Sequence, residues 1–350
     1  MLLRRAVMSV LAQTYPNFRV CVYDNASGDE TENIVGDLAA GDDRVKYFSH
    51  QHNIGAMPNF IFGMNRVQTP FFSLLSDDDV LLPEFFEKAL AGFDKYPDAI
   101  FSALATIQMK EDGTVVAVPL SAWKQGVYPP PTGLLTMLDK LYADDVLWTS
   151  ILFRRDVLEK VGTLDLELGA PADLDYELRI AARWPIAIST EPGAIFVVHN
   201  ESISGTLPLE TIWPAYQRIA LNVRQQEMLS PQQRLEAYEQ ILRFFRQRAL
   251  RRGGLGYIVN QRWNEAEYAA TILRDFYHCP IHAALLQGIS RLARHSPLCL
   301  HVLQRLSELR KTAYARFKPE VAPEYAHYSS LLRCDSLSEQ NHELRGGYIR

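Results

Sequence analysis

Three consecutive carboxylates, Asp77, Asp78 and Asp79, directly follow the apolar run Phe71-Phe72-Ser73-Leu74-Leu75-Ser76 and precede Val80-Leu81-Leu82-Pro83. The run begins after Thr69-Pro70 and predicts a short buried strand. Adjacent like charges repel, so the triplet gains no local stability. A divalent cation with a phosphate-bearing ligand would relieve the repulsion, because hard cations take carboxylate oxygens. Ligands of open α/β sheets sit beyond the carboxyl ends of strands, which is where these acids fall. The bland alternative is a solvated acidic turn that caps the helix predicted from about Glu84. A second apolar run, residues 18–23, also ends on an acid, Asp24, followed by Asn25-Ala26-Ser27-Gly28-Asp29. Asp-Asn at a strand end can also be a simple turn former.

The elements that hold these acids alternate. Leu3, Ala6, Val7, Val10 and Leu11 fall at helical spacing, and Pro16 ends that helix. After Asp24 a helix opens, with Asp29 and Glu32 in capping-box places. Residues 45–49 form a third apolar element. A turn through His50, His52, Asn53 and Gly55 follows, then a helix to about Arg66. This order predicts an α/β fold, a mostly parallel sheet flanked by helices. Further strands are expected over 99–118 (with a turn at Glu111-Asp112-Gly113), 147–153, 186–189 and 194–198, with a loop over 123–132. Ala172-Asp173-Leu174-Asp175 leads a helix through Ala182. From Leu207-Pro208 onward the periodicity is helical. The expected division is 1–207 for the sheet domain, 208–330 for a helical region and 331–350 for a loosely ordered tail.

Composition narrows the class. Hydrophobic residues at 47% and charged residues at 22% are those of an ordinary soluble globular protein. A formal net charge of −5 argues against nucleic acid as a partner. Cys21, Cys279, Cys299 and Cys334 lack disulfide or zinc spacing and suggest a reducing compartment. No run reaches the about 18 apolar residues of a membrane span, and no signal peptide is recognisable. A cytoplasmic location is expected. Arg243, Arg246, Arg248, Arg251 and Arg252 share a helix with Leu242, Phe244, Phe245 and Leu250. That helix reads either as a membrane-surface attachment or as a packed helix with a solvated basic face.

Taken together, Ser9-Val10-Leu11-Ala12-Gln13-Thr14-Tyr15-Pro16-Asn17, the strand into Asp24-Asn25-Ala26-Ser27, Asn53-Ile54-Gly55 and the strand into Asp77-Asp78-Asp79 resemble the inverting GT-A glycosyltransferases of family two. The similarity covers roughly residues 3–205. It implies a GT-A, Rossmann-like fold, a nucleotide-diphospho-sugar donor (a UDP-sugar), a divalent cation (Mn²⁺ or Mg²⁺) and inverting transfer to a saccharide or lipid-linked acceptor hydroxyl. By this resemblance Asp24 contacts the base, and Asn53 and Gly55 shape a turn near the donor. Asp77 to Asp79 match the DxD motif, with Asp77 and Asp78 on the donor and Asp79 on the metal. His199 stands where many members place a histidine near metal and diphosphate. Asp173 matches the catalytic base. Bacterial surface polysaccharide or glycolipid assembly, at the inner face of the plasma membrane, is the implied setting.

Two departures stand out. The apolar strand with which the family begins has no counterpart before residue 3, and Ala172 replaces the acid that commonly precedes the base. The first suggests a truncated or misassigned start. It also motivates an alternative, a degenerate fold kept as a non-catalytic binding module. A haloacid-dehalogenase-type phosphatase also fits Asp77 and Asp79, but it requires its motif on the first strand and a later Lys that is not evident.

Overall fold

The computed structural model describes residues 2–118, 123–140, 147–199, 207–253, 255–317 and 323–332. Residues 333–350 of the expected tail, Cys334 and the side chains of Arg248, Leu250, Arg251 and Arg252 lie outside that description. The chain divides into two compact units. One comprises Met1–Ser202, Gln226–Ser230 and Val321–Arg350; the other comprises Ile203–Gln225 and Pro231–Glu320.

The first unit is α/β. Strands β1 (Val20–Asp24) and β2 (Val45–Ser49) pair in parallel, with Asp24 opposite Ser49. A larger sheet has the order β3 (Phe71–Phe72), β8 (Ile151–Arg154), β5 (Phe101–Lys110), β9 (Ile186–Val198), β4 (Val80–Leu81). β6 (Val115–Ala117) pairs with β5, and β7 (Gly126–Tyr128) pairs with β9. Only β5 and β9 run parallel in this sheet. The sheet is therefore mixed rather than mostly parallel. The βα alternation stops near residue 100, and the tight Glu111-Asp112-Gly113 turn folds β6 back antiparallel, as short connections require.

Helices α1 (Leu2–Leu11), α2 (Thr31–Gly41), α3 (Ala56–Met64), α4 (Phe85–Lys95), α5 (Thr132–Lys140), α6 (Val157–Lys160) and α7 (Ala172–Ala181) complete the unit. α1 joins two cores. Its Val7 and Leu11 pack with Val35, Leu38 and Val45, while Val10 packs with Leu81, Phe85, Phe93 and Leu104. The capping box expected at α2 does not form. Asp29 Oδ1 instead accepts from the Thr31 amide at 2.9 Å, a local turn that starts the helix one step later.

The second unit is helical: α8 (Leu209–Arg224), α9 (Pro231–Gly253), α10 (Leu255–Val259), α11 (Trp263–Thr271), a π-turn at Ile272–Phe276, α12 (Pro280–His295) and α13 (Pro297–Phe317). Tyr216 stacks on Phe245 at 4.2 Å between ring centres, and Ile241 and Phe244 are buried. The apolar residues of α9 thus serve the unit's own core, which favours the packed-helix reading of its basic cluster. No helix among the described residues is long and apolar enough to cross a membrane.

Candidate functional site

The acid loop is gripped by α1. Arg5 and Ser9, one turn apart on α1, and Gln13, just past its end, recur every four residues, and all three are buried. Arg5 Nη2 donates to the Asp78 carbonyl at 2.7 Å, and the Leu81 amide donates to Ser9 Oγ at 3.1 Å. Gln13 Nε2 donates to the Leu82 carbonyl at 2.7 Å, and its Oε1 accepts from the Phe86 amide at 3.1 Å. Arg5 is further held by Glu111, at 2.8 and 3.1 Å, and by the Leu332 carbonyl at 3.4 Å. These bonds satisfy backbone groups that an irregular buried loop would otherwise leave without partners. The apolar stripe of α1 was evident from its spacing. The polar stripe beside it was missed, although its spacing of four was an available signal.

From this anchor the three acids diverge. Asp77 is exposed. The protein crowded on one side of it, and then the Asp78 charge, raise its carboxyl above the usual range; solvent on the open side moderates the effect. Asp78 Oδ2 lies 2.6 Å from His199 Nε2, at the end of β9, with side chains 24% and 28% exposed. Asp79 is 2% exposed. Its Oδ2 accepts from Thr149 Oγ1 at 3.0 Å and its Oδ1 from the Val197 amide at 2.9 Å. Burial, then the Asp78 charge, push the Asp79 carboxyl up to about 7, against the pull of those two donors and of Arg5. Asp79 thus ties the loop to β9 and to the turn before β8, while Asp78 faces the rim with His199.

A second group forms at the end of β1. The Ser27 amide and hydroxyl donate to Asp24 Oδ1 at 3.0 and 2.5 Å, and Tyr47 and Ser49 donate to Oδ2 at 2.8 and 3.3 Å. Burial alone would raise the Asp24 carboxyl, but these donors outweigh it and hold the group below its usual value. Asn25 and Asn53 clasp two loops. Asn25 Nδ2 donates to Asn53 Oδ1 at 3.0 Å, and Asn25 Oδ1 accepts from the Ile54 amide at 2.8 Å. The Gly55 amide also donates to Asn53 Oδ1, at 2.9 Å. Gly55 has φ 94° and ψ 155°, a conformation open essentially to glycine alone, so the positive φ expected there is present.

Asp173 occupies a third place, the first turn of α7, where its Oδ1 accepts from the Leu174 amide at 2.7 Å. Arg179 fixes this helix, pairing with Asp175 at 2.6 Å and donating to the Val161 and Thr163 carbonyls at 3.1 and 3.0 Å. Tyr176 adds a bond to the Gly162 carbonyl at 3.0 Å. Asp175 is 1% exposed, because Arg179 draws it into this lock. Trp148 meets the Tyr176 ring edge-on at 6.4 Å, and its neighbour Thr149 holds Asp79. The acid loop and α7 are therefore linked through residues 148–149. Removing an acid at Ala172 does not leave Asp173 without an acidic neighbour. Glu177, one turn on and 5% exposed, is raised well above the carboxylate range by burial first and by the Asp173 charge second.

Among the described residues, no three His, Cys, Asp or Glu side chains converge into a metal-holding group. Asp78 and His199 offer two donors, one oxygen and one nitrogen. A cation there would take its remaining positions from phosphate oxygens and water; the carboxylate suits Mg²⁺ or Mn²⁺, and the imidazole would have to turn from its 2.6 Å contact with Asp78 to join it.

Residues 2–162 match the family described as Glycosyl transferase family 2. The chain is 35% identical over 82 residues to the GalNAc(5)-diNAcBac-PP-undecaprenol beta-1,3-glucosyltransferase of Campylobacter jejuni, a stretch that is 23% of this chain and 26% of that protein. It is 38% identical over 87 residues to an uncharacterized glycosyltransferase of Rickettsia felis, 24% of this chain and 14% of that protein. The chain thus matches well under two thirds of either relative's length. Among solved structures, S. aureus TarS 1-349 in complex with UDP-GlcNAc aligns at a TM-score of 0.63 and 16% identity, covering 99% of this chain and 89% of that one. At that identity the likeness is one of fold.

Proposed function

We propose, from the match of residues 2–162 to glycosyl transferase family 2, that the protein is an inverting glycosyltransferase using a nucleotide-diphospho-sugar donor. The observation that carries the reading is the Asp78–His199 pair at the rim beyond the strand ends, 2.6 Å apart. Asp24, buried at the end of β1, organises the base end of the donor site through Ser27, Tyr47 and Ser49. Asn53 and Gly55 shape its edge through the clasp with Asn25, and Asp77 faces the donor from the open side.

Asp78 and His199 would hold a divalent cation, Mn²⁺ or Mg²⁺. In this reading the metal role expected of Asp79 passes to Asp78, since Asp79 is 2% exposed while the Asp78 side chain stands partly open to solvent. When bound, the cation supplies positive charge to the departing diphosphate.

Asp173 takes the acceptor hydroxyl proton as the acceptor oxygen bonds to the anomeric carbon. The bond from that carbon to the diphosphate oxygen breaks on the opposite side, and its electron pair leaves with the diphosphate. A UDP-sugar donor is favoured by the fold likeness to a protein crystallised with UDP-GlcNAc. A saccharide or lipid-linked acceptor is favoured by the undecaprenol-linked substrate named for the Campylobacter relative. Cytoplasmic assembly of a surface polysaccharide or glycolipid fits both.

The test compares the wild type with Asp173→Asn for donor turnover and donor binding. Loss of a general base lowers kcat by about 10²–10⁴-fold, with donor affinity nearly unchanged because Asp173 acts on the acceptor. Donor binding without any turnover by the wild type would favour a non-catalytic binding module. Equal loss of binding and turnover in the variant would assign Asp173 to donor or fold.

A further inference from the structure

We propose that the α12–α13 segment of the helical unit is a docking face for an anionic lipid surface. α12 carries two opposite apolar faces. Ala283, Leu286 and Ala293 are buried in the unit. Ile281, Leu285 and Leu292, spaced by four and seven residues, are 74%, 60% and 60% exposed. With Ala284, Gly288 and Ile289 they line a shallow, almost wholly apolar concavity. The next helix repeats the pattern, with Leu298, Val302, Leu306 and Leu309 exposed by 48% or more. Apolar residues that line one concavity and recur on the next helix mark an interaction site rather than singly scattered surface residues.

The charges around the stripe identify the occupant. α12 contains no Asp or Glu, and Arg291 and Arg294 stand on its exposed side with His282 and His295. Over residues 280–309 three arginines and three histidines face one carboxylate, Glu308, in a chain whose formal net charge is −5. Local basicity against an acidic whole complements a negative surface. A second copy of the same stripe would bring arginines against arginines with no acid on α12 to answer them. An amphipathic helix with leucines on one side and arginines beside them lies in the headgroup region of a bilayer. α9, the basic helix that suggested membrane attachment, has its phenylalanines buried, and among its described side chains Leu235 is the one exposed large apolar residue.

The face goes beyond the transfer reaction and is tested without it. The full chain is sedimented with vesicles of phosphatidylcholine alone and of phosphatidylcholine with phosphatidylglycerol. The expected result is binding to the anionic vesicles, weakened by salt. Leu285→Glu with Leu292→Glu should reduce it about tenfold or more, and Arg291→Gln with Arg294→Gln should remove the anionic preference. All four positions are exposed, so circular dichroism and melting should match the wild type. If the Glu variant fails to fold, Leu285→Ala with Leu292→Ala should show the same direction with a smaller loss. Absence of vesicle binding by the wild type would overturn the proposal. Undiminished binding by the leucine variants would do the same, as would a dimer that those substitutions dissolve.

Discussion

Asp78 and His199 stand 121 positions apart in the chain and meet at 2.6 Å, carboxylate to imidazole. The contact joins the loop after β3 to the end of β9 and leaves both groups partly open to solvent. Its neighbour Asp79 points the other way, into the protein, where Thr149 and Val197 use both of its oxygens. One acid of the triplet therefore faces the open rim while the next staples the loop that carries it.

The staple has a measurable weight. Asp79→Ala leaves the buried Val197 amide and Thr149 hydroxyl without their acceptor, which should cost about 1–3 kcal/mol of stability. Asp79→Asn keeps one oxygen for the Val197 amide, and its amide can donate to the Thr149 hydroxyl, so it should cost less. Urea unfolding of the two variants checks the order; equal losses would mean that the carboxylate's charge, rather than its acceptors, matters.

Arg5→Met retains the packing of a long side chain but removes the donors to the Asp78 and Leu332 carbonyls and to Glu111. Stability should fall by about 1–3 kcal/mol, less than for a fully buried ion pair because Glu111 is half exposed. Because Arg5 holds the Asp78 backbone, Mn²⁺-dependent UDP affinity should fall as well. A lower melting temperature with unchanged affinity would make Arg5 a stabiliser only.

Glu177 gives the chain a pH dependence of defined sign. Its carboxyl is raised by burial and by Asp173, so the folded protein holds the proton longer than the unfolded chain does. The associated stability is fully present below the ordinary Glu range and is lost as pH rises through the folded value. Glu177→Gln cannot ionise. Its melting temperature relative to wild type should therefore climb as pH rises above the ordinary Glu range. A pH-independent difference would mean that Glu177 is ionised at both.

Local features were legible in the sequence. The acids at the end of β1 and directly before β4, the Asn53–Gly55 turn and the helix behind Asp173 each follow from a few adjacent residues. What was not legible depends on distant partners. Asp79 is bound by residues 70 and 118 positions away, and no spacing within Asp77 to Asp79 reveals which acid the fold will consume. Residues 186–198 read as two strands because Glu191-Pro192-Gly193 looks like a break. The single strand β9 instead carries Pro192 at a register shift against Ala105, where a missing amide is tolerated. The run 71–75 likewise read as one strand. Only Phe71–Phe72 pair, with β8, and the chain then leaves the sheet until Val80.

The central claim is that a cation held by Asp78 and His199 secures the donor's diphosphate. Calorimetric titration of UDP into wild type, Asp78→Asn and Asp79→Asn, in Mn²⁺ and in a chelator, tests it most directly. Mn²⁺ should tighten UDP binding to the wild type by about tenfold or more, an effect lost in Asp78→Asn and kept in Asp79→Asn. Metal-independent binding by the wild type, or loss of the Mn²⁺ effect in Asp79→Asn with retention in Asp78→Asn, would contradict the account.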